Sequence, residues 1–212
     1  MSTPSGPMRC CRPVGGKIVK VGVLALQGDV SEHIDAFFKA LASCGCREGS
    51  TVVEVRSPAD LAGCAALAIP GGESTTISRL IDKNGLYEPI RTFPGGIFAT
   101  CAGMVLMATD VADPRVHTLG LMNMTVDRNA FGRQRESFEV DIPVTGLLDG
   151  PFHAIFIRAP VVTAAGADVQ VLATLDQGIV AAEKGRYLAL AFHPELGGDL
   201  RLHERFLKNL GI

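Results

Sequence analysis

The sequence predicts a single α/β domain whose first half forms a mostly parallel sheet and whose second half adds antiparallel strands. Three observations carry this. Short apolar runs, Ile18–Leu26, Ala65–Ile69 and Ile97–Ala99, alternate with segments of helical period, the rhythm of strands joined by crossover helices. Those runs are almost continuously apolar, as strands buried on both faces are. From Leu119 onward, six strand-like runs follow one another with short connections, which suit hairpins and not crossovers.

The length of 212 residues suits one domain, and a domain of this size buries roughly 70–75% of its unfolded surface. No disulfide or metal staple is required. Apolar residues make up 47% and charged residues 20%, with a formal net charge of −2, which argues against disorder and against electrostatic nucleic-acid binding. Small molecules or another protein are the expected partners. The six cysteines fall as Cys10-Cys11, Cys44 and Cys46, Cys64 and Cys101, spacings that match no zinc pattern. No apolar run reaches the ~18 residues of a membrane helix, and residues 1–16 lack the apolar centre of a signal peptide. Reduced thiols and a cytoplasmic location are expected.

Residues 1–16, rich in Pro, Gly, Ser and Arg, read as a mobile tail, and residues 17–212 as the domain. After the first strand, Gln27-Gly28-Asp29 turns the chain. Ile34, Phe37, Phe38 and Leu41 then mark the apolar face of a helix that ends near Gly45. Thr51–Val55 is the second strand, and Ser57-Pro58 opens a short helix. The third strand, Ala65–Ile69, breaks at Pro70-Gly71-Gly72-Glu73-Ser74, where Ser74 is a candidate cap for a helix carrying Ile77, Leu80 and Ile81 and stopped by Asn84-Gly85. Leu86–Phe93 is a further helical piece, and Gly95-Gly96 leads into the fourth strand. The later runs are Leu119–Val126, Phe138–Val144, Ala154–Arg158, Val169–Leu175, Ile179–Glu183 and Tyr187–Phe192. Asp199 is expected to cap a last helix bearing Leu202, Phe206 and Leu210 on one face.

Cys101 stands where an apolar strand turns sharply into Ala102-Gly103-Met104. That geometry pushes a sulfur out at the carboxyl edge of the sheet, beside a helix amino terminus that favours thiolate. In His193-Pro194-Glu195, extended backbone would bring the imidazole and the carboxylate to one side, so that Glu195 fixes the tautomer of His193. His33, His117, His153 and His203 have no comparable setting and read as packing or surface residues. The two glycines of Pro70-Gly71-Gly72 let backbone N–H groups approach a ligand, as an oxyanion donor must. No Gly-Lys-Ser/Thr follows, so the loop is not a Walker phosphate loop.

The succession Leu26-Gln27-Gly28, Pro70-Gly71-Gly72-Glu73-Ser74-Thr75, Thr100-Cys101-Ala102-Gly103, Asp127-Arg128-Asn129-Ala130-Phe131-Gly132-Arg133-Gln134, Ser137-Phe138-Glu139, Phe156-Ile157-Arg158-Ala159-Pro160 and Phe192-His193-Pro194-Glu195-Leu196 resembles the glutaminase subunits of pyridoxal 5′-phosphate synthases, a branch of the class I, triad-type glutamine amidotransferases. The likeness runs from about Lys20 to the carboxyl terminus. It implies a flavodoxin-like three-layer sandwich and hydrolysis of L-glutamine to glutamate and ammonia. It further implies Cys101 as nucleophile, His193 as base and then acid, and Glu195 as the group orienting His193. Gly71, Gly72, Glu73, Arg128, Ile157 and Arg158 would contact glutamine, and the N–H groups of Gly72 and Ala102 would form the oxyanion hole. The implied partner is a TIM-barrel pyridoxal 5′-phosphate synthase subunit in a large hetero-oligomer that receives the ammonia. No metal or cofactor of the chain's own is implied. Ala99 stands where this family usually has glycine, and the Phe93–Gly96 loop is shorter than usual.

Other readings share these residues. Either arginine could serve a structural salt bridge, and the same fold could serve another ammonia acceptor or act as a non-catalytic scaffold or thiol sensor. Coupling to a partner would waste least ammonia if the Gly71–Gly72 peptide swung an oxyanion donor into place only on docking, with Gln27-Gly28 and the first helix carrying the signal.

Overall fold

In the computed structural model, which describes residues 17–46, 48–128, 130 and 137–212, the strands and helices alternate through the first half as β1 (Lys20–Leu24), α1 (Val30–Ser43), β2 (Thr51–Val55), α2 (Pro58–Leu61), β3 (Ala66–Ile69), α3 (Ser74–Lys83), α4 (Tyr87–Arg91), β4 (Gly96–Thr100) and α5 (Ala102–Met107). The second half is β5 (Ala108–Val111), β6 (Met122–Asp127), β7 (Ser137–Ile142), β8 (Phe152–Ile157), β9 (Val161–Ala165), β10 (Gln170–Leu175), β11 (Gly178–Lys184), β12 (Tyr187–Leu190) and α6 (Arg201–Asn209). The expected tail at 1–16, Asn129 and the segment from Phe131 to Gln134 lie outside the described residues.

Ten strands form one sheet in the order β2-β1-β3-β4-β12-β11-β9-β6-β5, with β10 paired to β11. The five strands β2-β1-β3-β4-β12 are parallel, in the flavodoxin-like arrangement that reverses direction between β1 and β3. Right-handed crossovers on either side of that reversal send α1 and α3 to opposite faces. Accordingly α1 packs with α6, and α3 with α5. Beyond β12 the pairings β12-β11, β11-β9 and β9-β6 are antiparallel, while β5-β6 is parallel. The sequence reading missed β5 and β9, whose runs Ala-Thr-Asp-Val and Val-Val-Thr-Ala-Ala are short and partly exposed. It also grouped Tyr187–Phe192 with the antiparallel half, although β12 lies parallel to β4.

Helix α1 buries His33, Ala36, Phe37, Ala40 and Leu41, whereas Phe38 is 61% exposed. The apolar face is therefore rotated from the expected one, because two alanines and a histidine take inward positions and Phe38 does not. The cap of α3 is Glu73 and not Ser74: its carboxylate accepts from the N–H groups of Thr75 and Thr76. Asp199 does accept from the N–H of Arg201, one position before the first half-in residue of α6.

Strands β7 and β8 form a separate two-stranded ribbon. Its anchors are Phe152 and Phe156, whose rings lie 5.6 and 5.4 Å from that of Phe192 just beyond β12. The ribbon thereby carries Ile157 and Arg158 to the carboxyl edge of the parallel sheet. Among the described residues no helix is long and apolar enough to cross a membrane.

Candidate active site

Strand register assembles the site. Ile69 pairs with Ala99 and Leu190 with Thr100, so the chain leaves β3, β4 and β12 at one level. Pro70-Gly71-Gly72, Cys101 and His193 follow at those three exits, outside the carboxyl ends of parallel strands, where open α/β sheets bind ligands.

Cys101 adopts φ 48° and ψ −106°, a conformation unusual for a residue with a side chain. Its N–H donates to Leu190 O at 2.8 Å, and its Sγ lies 3.7 Å from Ile157 O. Arg158, next to that carbonyl, is also at positive φ (44°). Such strain costs about 1–3 kcal/mol per residue and collects at functional sites. The close turn depends on Gly103, where a Cβ would run into Ile69 O. Ala99 is fully buried in β4 and is accommodated without loss of the turn.

His193 is almost wholly buried and its Nδ1 is 2.7 Å from Glu195 Oε1. Cys101 is the other polar side chain that acts on the ring. Burial opposes charge on the ring, but the bonds to Cys101 and Glu195 outweigh it and push the imidazole up to about 10. Burial likewise opposes ionisation of Glu195, yet His33 and His193 hold it down to about 2. The array is thus biased toward imidazolium beside the Glu195 carboxylate. His193-Pro194-Glu195 is not extended as the sequence suggested. Pro194 instead starts a 3₁₀ turn, Pro194–Leu196, its missing N–H being one the turn would leave unused.

Two residues were passed over in the sequence. His33, read as packing or surface, is fully buried with Nε2 3.3 Å from Glu195 Oε1 and 3.0 Å from Thr100 Oγ1. Asp29, at the entry to α1, places Oδ2 3.4 Å from His193 Nδ1. The signal for both was distance along the chain from Gln27-Gly28, which register sets beside β3. Of the other histidines, His203 stacks on Phe98 in the core, with burial pushing it down to about 3. His117 and His153 are half-exposed or more and pair with Asp82 and with Glu139 and Asp141.

Beside Cys101 lies a cavity of about 150 Å³ lined by Gly72, Glu73, Ala102, Arg128 and Arg158. Gly71, just before the lining residue Gly72, packs against the pair instead: a Cβ there would stand 2.5 Å from His193 Cε1 and 3.3 Å from Cys101 Cβ. The Gly71 carbonyl rests against Gly28, where a Cβ would collide with it, so the Gly72 N–H lies on the opposite edge of that peptide. Gln27 Oε1 accepts from the Glu73 N–H at 3.0 Å and pins the loop. Arg128 bonds Glu73 Oε1 at 3.0 Å and Asp113 Oδ2 at 2.5 Å. Burial works against ionisation of Glu73, but bonds from Thr75 and Thr76 hold it down to about 2. Two guanidinium groups and a carboxylate around a small cavity suit the two charged ends of an amino acid. Asp29, His193 and Glu195 bring donor atoms within 4.8 Å of one another, the one cluster among the described residues spaced for a cation. His193 Nδ1 is already bonded to Glu195, which makes the cluster an acid–base array.

Residues 23–211 match the SNO glutamine amidotransferase family. The chain belongs to that family. Curated relatives include the pyridoxal 5′-phosphate synthase subunits PdxT of Methanoregula boonei, 78% identical over 92% of this chain and 100% of the relative, and of Methanosphaerula palustris, 66% identical over 92% and 98%. Among solved structures, a glutamine amidotransferase at 45% identity superposes with a TM-score of 0.80 over 91% of this chain and 99% of its own. A glutamine amidotransferase from Thermotoga maritima, 13% identical, shares the fold at TM-score 0.59 over 92% of this chain and 84% of its own.

Proposed function

We propose that the chain is the glutaminase subunit of a pyridoxal 5′-phosphate synthase, releasing ammonia from L-glutamine through Cys101, His193 and Glu195. The observation that carries this is the strained Cys101 beside a buried His193 whose Nδ1 meets Glu195 at 2.7 Å, next to a cavity with Arg128 and Arg158. Identity to the named synthase subunits over nearly their whole length supports the partner.

Glutamine binds with its α-carboxylate toward Arg128 and Arg158 and its ammonium toward Glu73, exchanging part of the Arg128–Glu73 bond for contacts to substrate. Gly71 and Ile157 shape the wall beside the amide. Sγ of Cys101 attacks the side-chain amide carbon, and the oxyanion is held by the N–H groups of Gly72 and Ala102. His193 gives its proton to the departing ammonia. It then takes one from water, which hydrolyses the thioester to glutamate and restores Cys101. Ammonia passes to the synthase subunit. Every step uses groups of residues 17–212, which we treat as the glutaminase domain. Cys44, Cys46, Cys64 and Cys101 are all free thiols, in keeping with a cytoplasmic setting.

The test is glutamate release from glutamine, measured with and without the synthase subunit. Release that depends on Cys101 and rises on adding that subunit is expected. No release in either condition would overturn the reading, and equal release in both would remove the idea that docking flips the Gly71–Gly72 peptide.

A further inference from the structure

We propose that His33 is a positioning residue for the reaction, its Nε2–H holding the Glu195 carboxylate in the orientation that serves His193. This rests on the reading of Cys101, His193 and Glu195 given above. Glu195 Oε1 receives His193 Nδ1 at 2.7 Å and lies 3.3 Å from His33 Nε2, while Oε2 has no hydrogen-bond partner and is buried. All the stabilisation this carboxylate receives from side chains in bonding range therefore converges on one oxygen. His193 alone would leave the carboxylate free to rotate about that single bond. A second polar contact from a different element, His33 Nε2 at 3.3 Å and itself held by Thr100 Oγ1, restrains it.

The tautomer follows from the surroundings. Nε2 of His33 sits between the Glu195 carboxylate and the Thr100 hydroxyl, 3.0 Å away, and a lone pair there would face a negative charge. The proton therefore resides on Nε2. Nδ1 is buried and unpartnered, so as a packing element the ring is a poor choice compared with leucine. It makes an edge-on contact with Phe98 at 6.2 Å, which a leucine would also fill. What leucine would not supply is the donor.

The charged and titratable groups around Glu195 come from several elements. His193 precedes it in the 3₁₀ turn, His33 and Asp29 come from α1 and its entry, Cys101 follows β4, and His203 comes from α6. Of these, His33 and His193 are within bonding range of the carboxylate, and they favour its ionised form. Loss of the His33 donor should then raise the Glu195 carboxyl and move the acid limb of the rate profile upward.

The experiment compares wild type, His33→Leu, His33→Gln and His33→Asn in complex with the synthase subunit, following kcat, KM and the pH dependence of glutamate release. Glutamine places an amide nitrogen near the position of imidazole Nε2, and asparagine near that of Nδ1. Expected for His33→Leu is a fall in kcat of about ten- to a hundredfold, the size of one hydrogen bond to a charged group. KM should hardly change, and the acid limb should shift up by about one pH unit. His33→Gln should restore most of the rate and the wild-type limb, and His33→Asn should not. If His33→Leu folds and keeps the wild-type kcat and profile, the proposal is overturned. Should His33→Leu fail to fold, equal profiles for the Gln and Asn variants overturn it instead. Cys101→Ala run in parallel separates the two levels: activity there would sink the triad itself, whatever His33 does.

Discussion

Gly71→Ala is the sharpest perturbation of the site that leaves its chemical groups intact. The backbone at 71 is not in the left-handed region, so alanine can adopt it. The added Cβ would lie 2.5 Å from His193 Cε1, where carbon atoms rest at about 3.5–4.0 Å. Cys101 Cβ at 3.3 Å closes the other side, and the imidazole must therefore yield by about 1 Å. A displacement of that size in a reacting group costs on the order of 10² in rate. Stability should change far less. Overpacking costs about 1–3 kcal/mol, offset by about 0.4–1 kcal/mol from the stiffer unfolded chain, for a net loss of about 0–3 kcal/mol. Steady-state glutamate release and thermal unfolding, measured on the same preparation, separate the two effects. A folded Gly71→Ala protein with wild-type kcat would refute the proposed role of the His193 imidazole that Gly71 packs against.

A glutamine-like electrophile should label Cys101 ahead of Cys44, Cys46 and Cys64, whose thiols burial pushes up; peptide mapping that finds one of those three first would count against the elbow. Glu195 ionises at about 2 in the folded protein against 4.5 ordinarily, so its stabilising contribution is complete above about pH 4.5 and is lost as pH falls toward 2. Glu195→Gln should flatten that part of the stability–pH curve and lower kcat less than His193→Ala does; an unchanged curve and rate would dismiss the role. Arg128→Met should raise KM for glutamine by about tenfold or more, the worth of a charge-assisted bond, with kcat less affected. An unchanged KM would return Arg128 to a structural partner of Asp113 and Glu73.

Much of this site is legible in the sequence, and the reason is local. Cys101, the Gly71-Gly72 loop and His193 each follow directly on an apolar strand, and strand ends of a parallel sheet meet in space. The direction of β12 was not legible. Tyr187–Leu190 resembles the neighbouring β11 run, and nothing in its four residues shows that it returns to lie parallel beside β4. His33 was missed for a related cause. On α1 it occupies a position of the inward stripe, where a histidine looks like packing, and its contact with Glu195 crosses 162 residues of sequence. Phe38 misled in the opposite sense, since an aromatic at helical spacing was taken as inward and is exposed. At Pro194 the sequence predicts the pairing of imidazole and carboxylate but not the 3₁₀ turn that achieves it.

The central claim is that glutamine is opened on the sulfur of Cys101. Acid quenching of the complex during turnover, followed by peptide mass mapping, tests it directly. The account predicts a γ-glutamyl thioester on the peptide containing Cys101, absent from Cys101→Ala, which releases no glutamate. Continued glutamate release by Cys101→Ala, or the acyl group found on Cys44, Cys46 or Cys64, would contradict it.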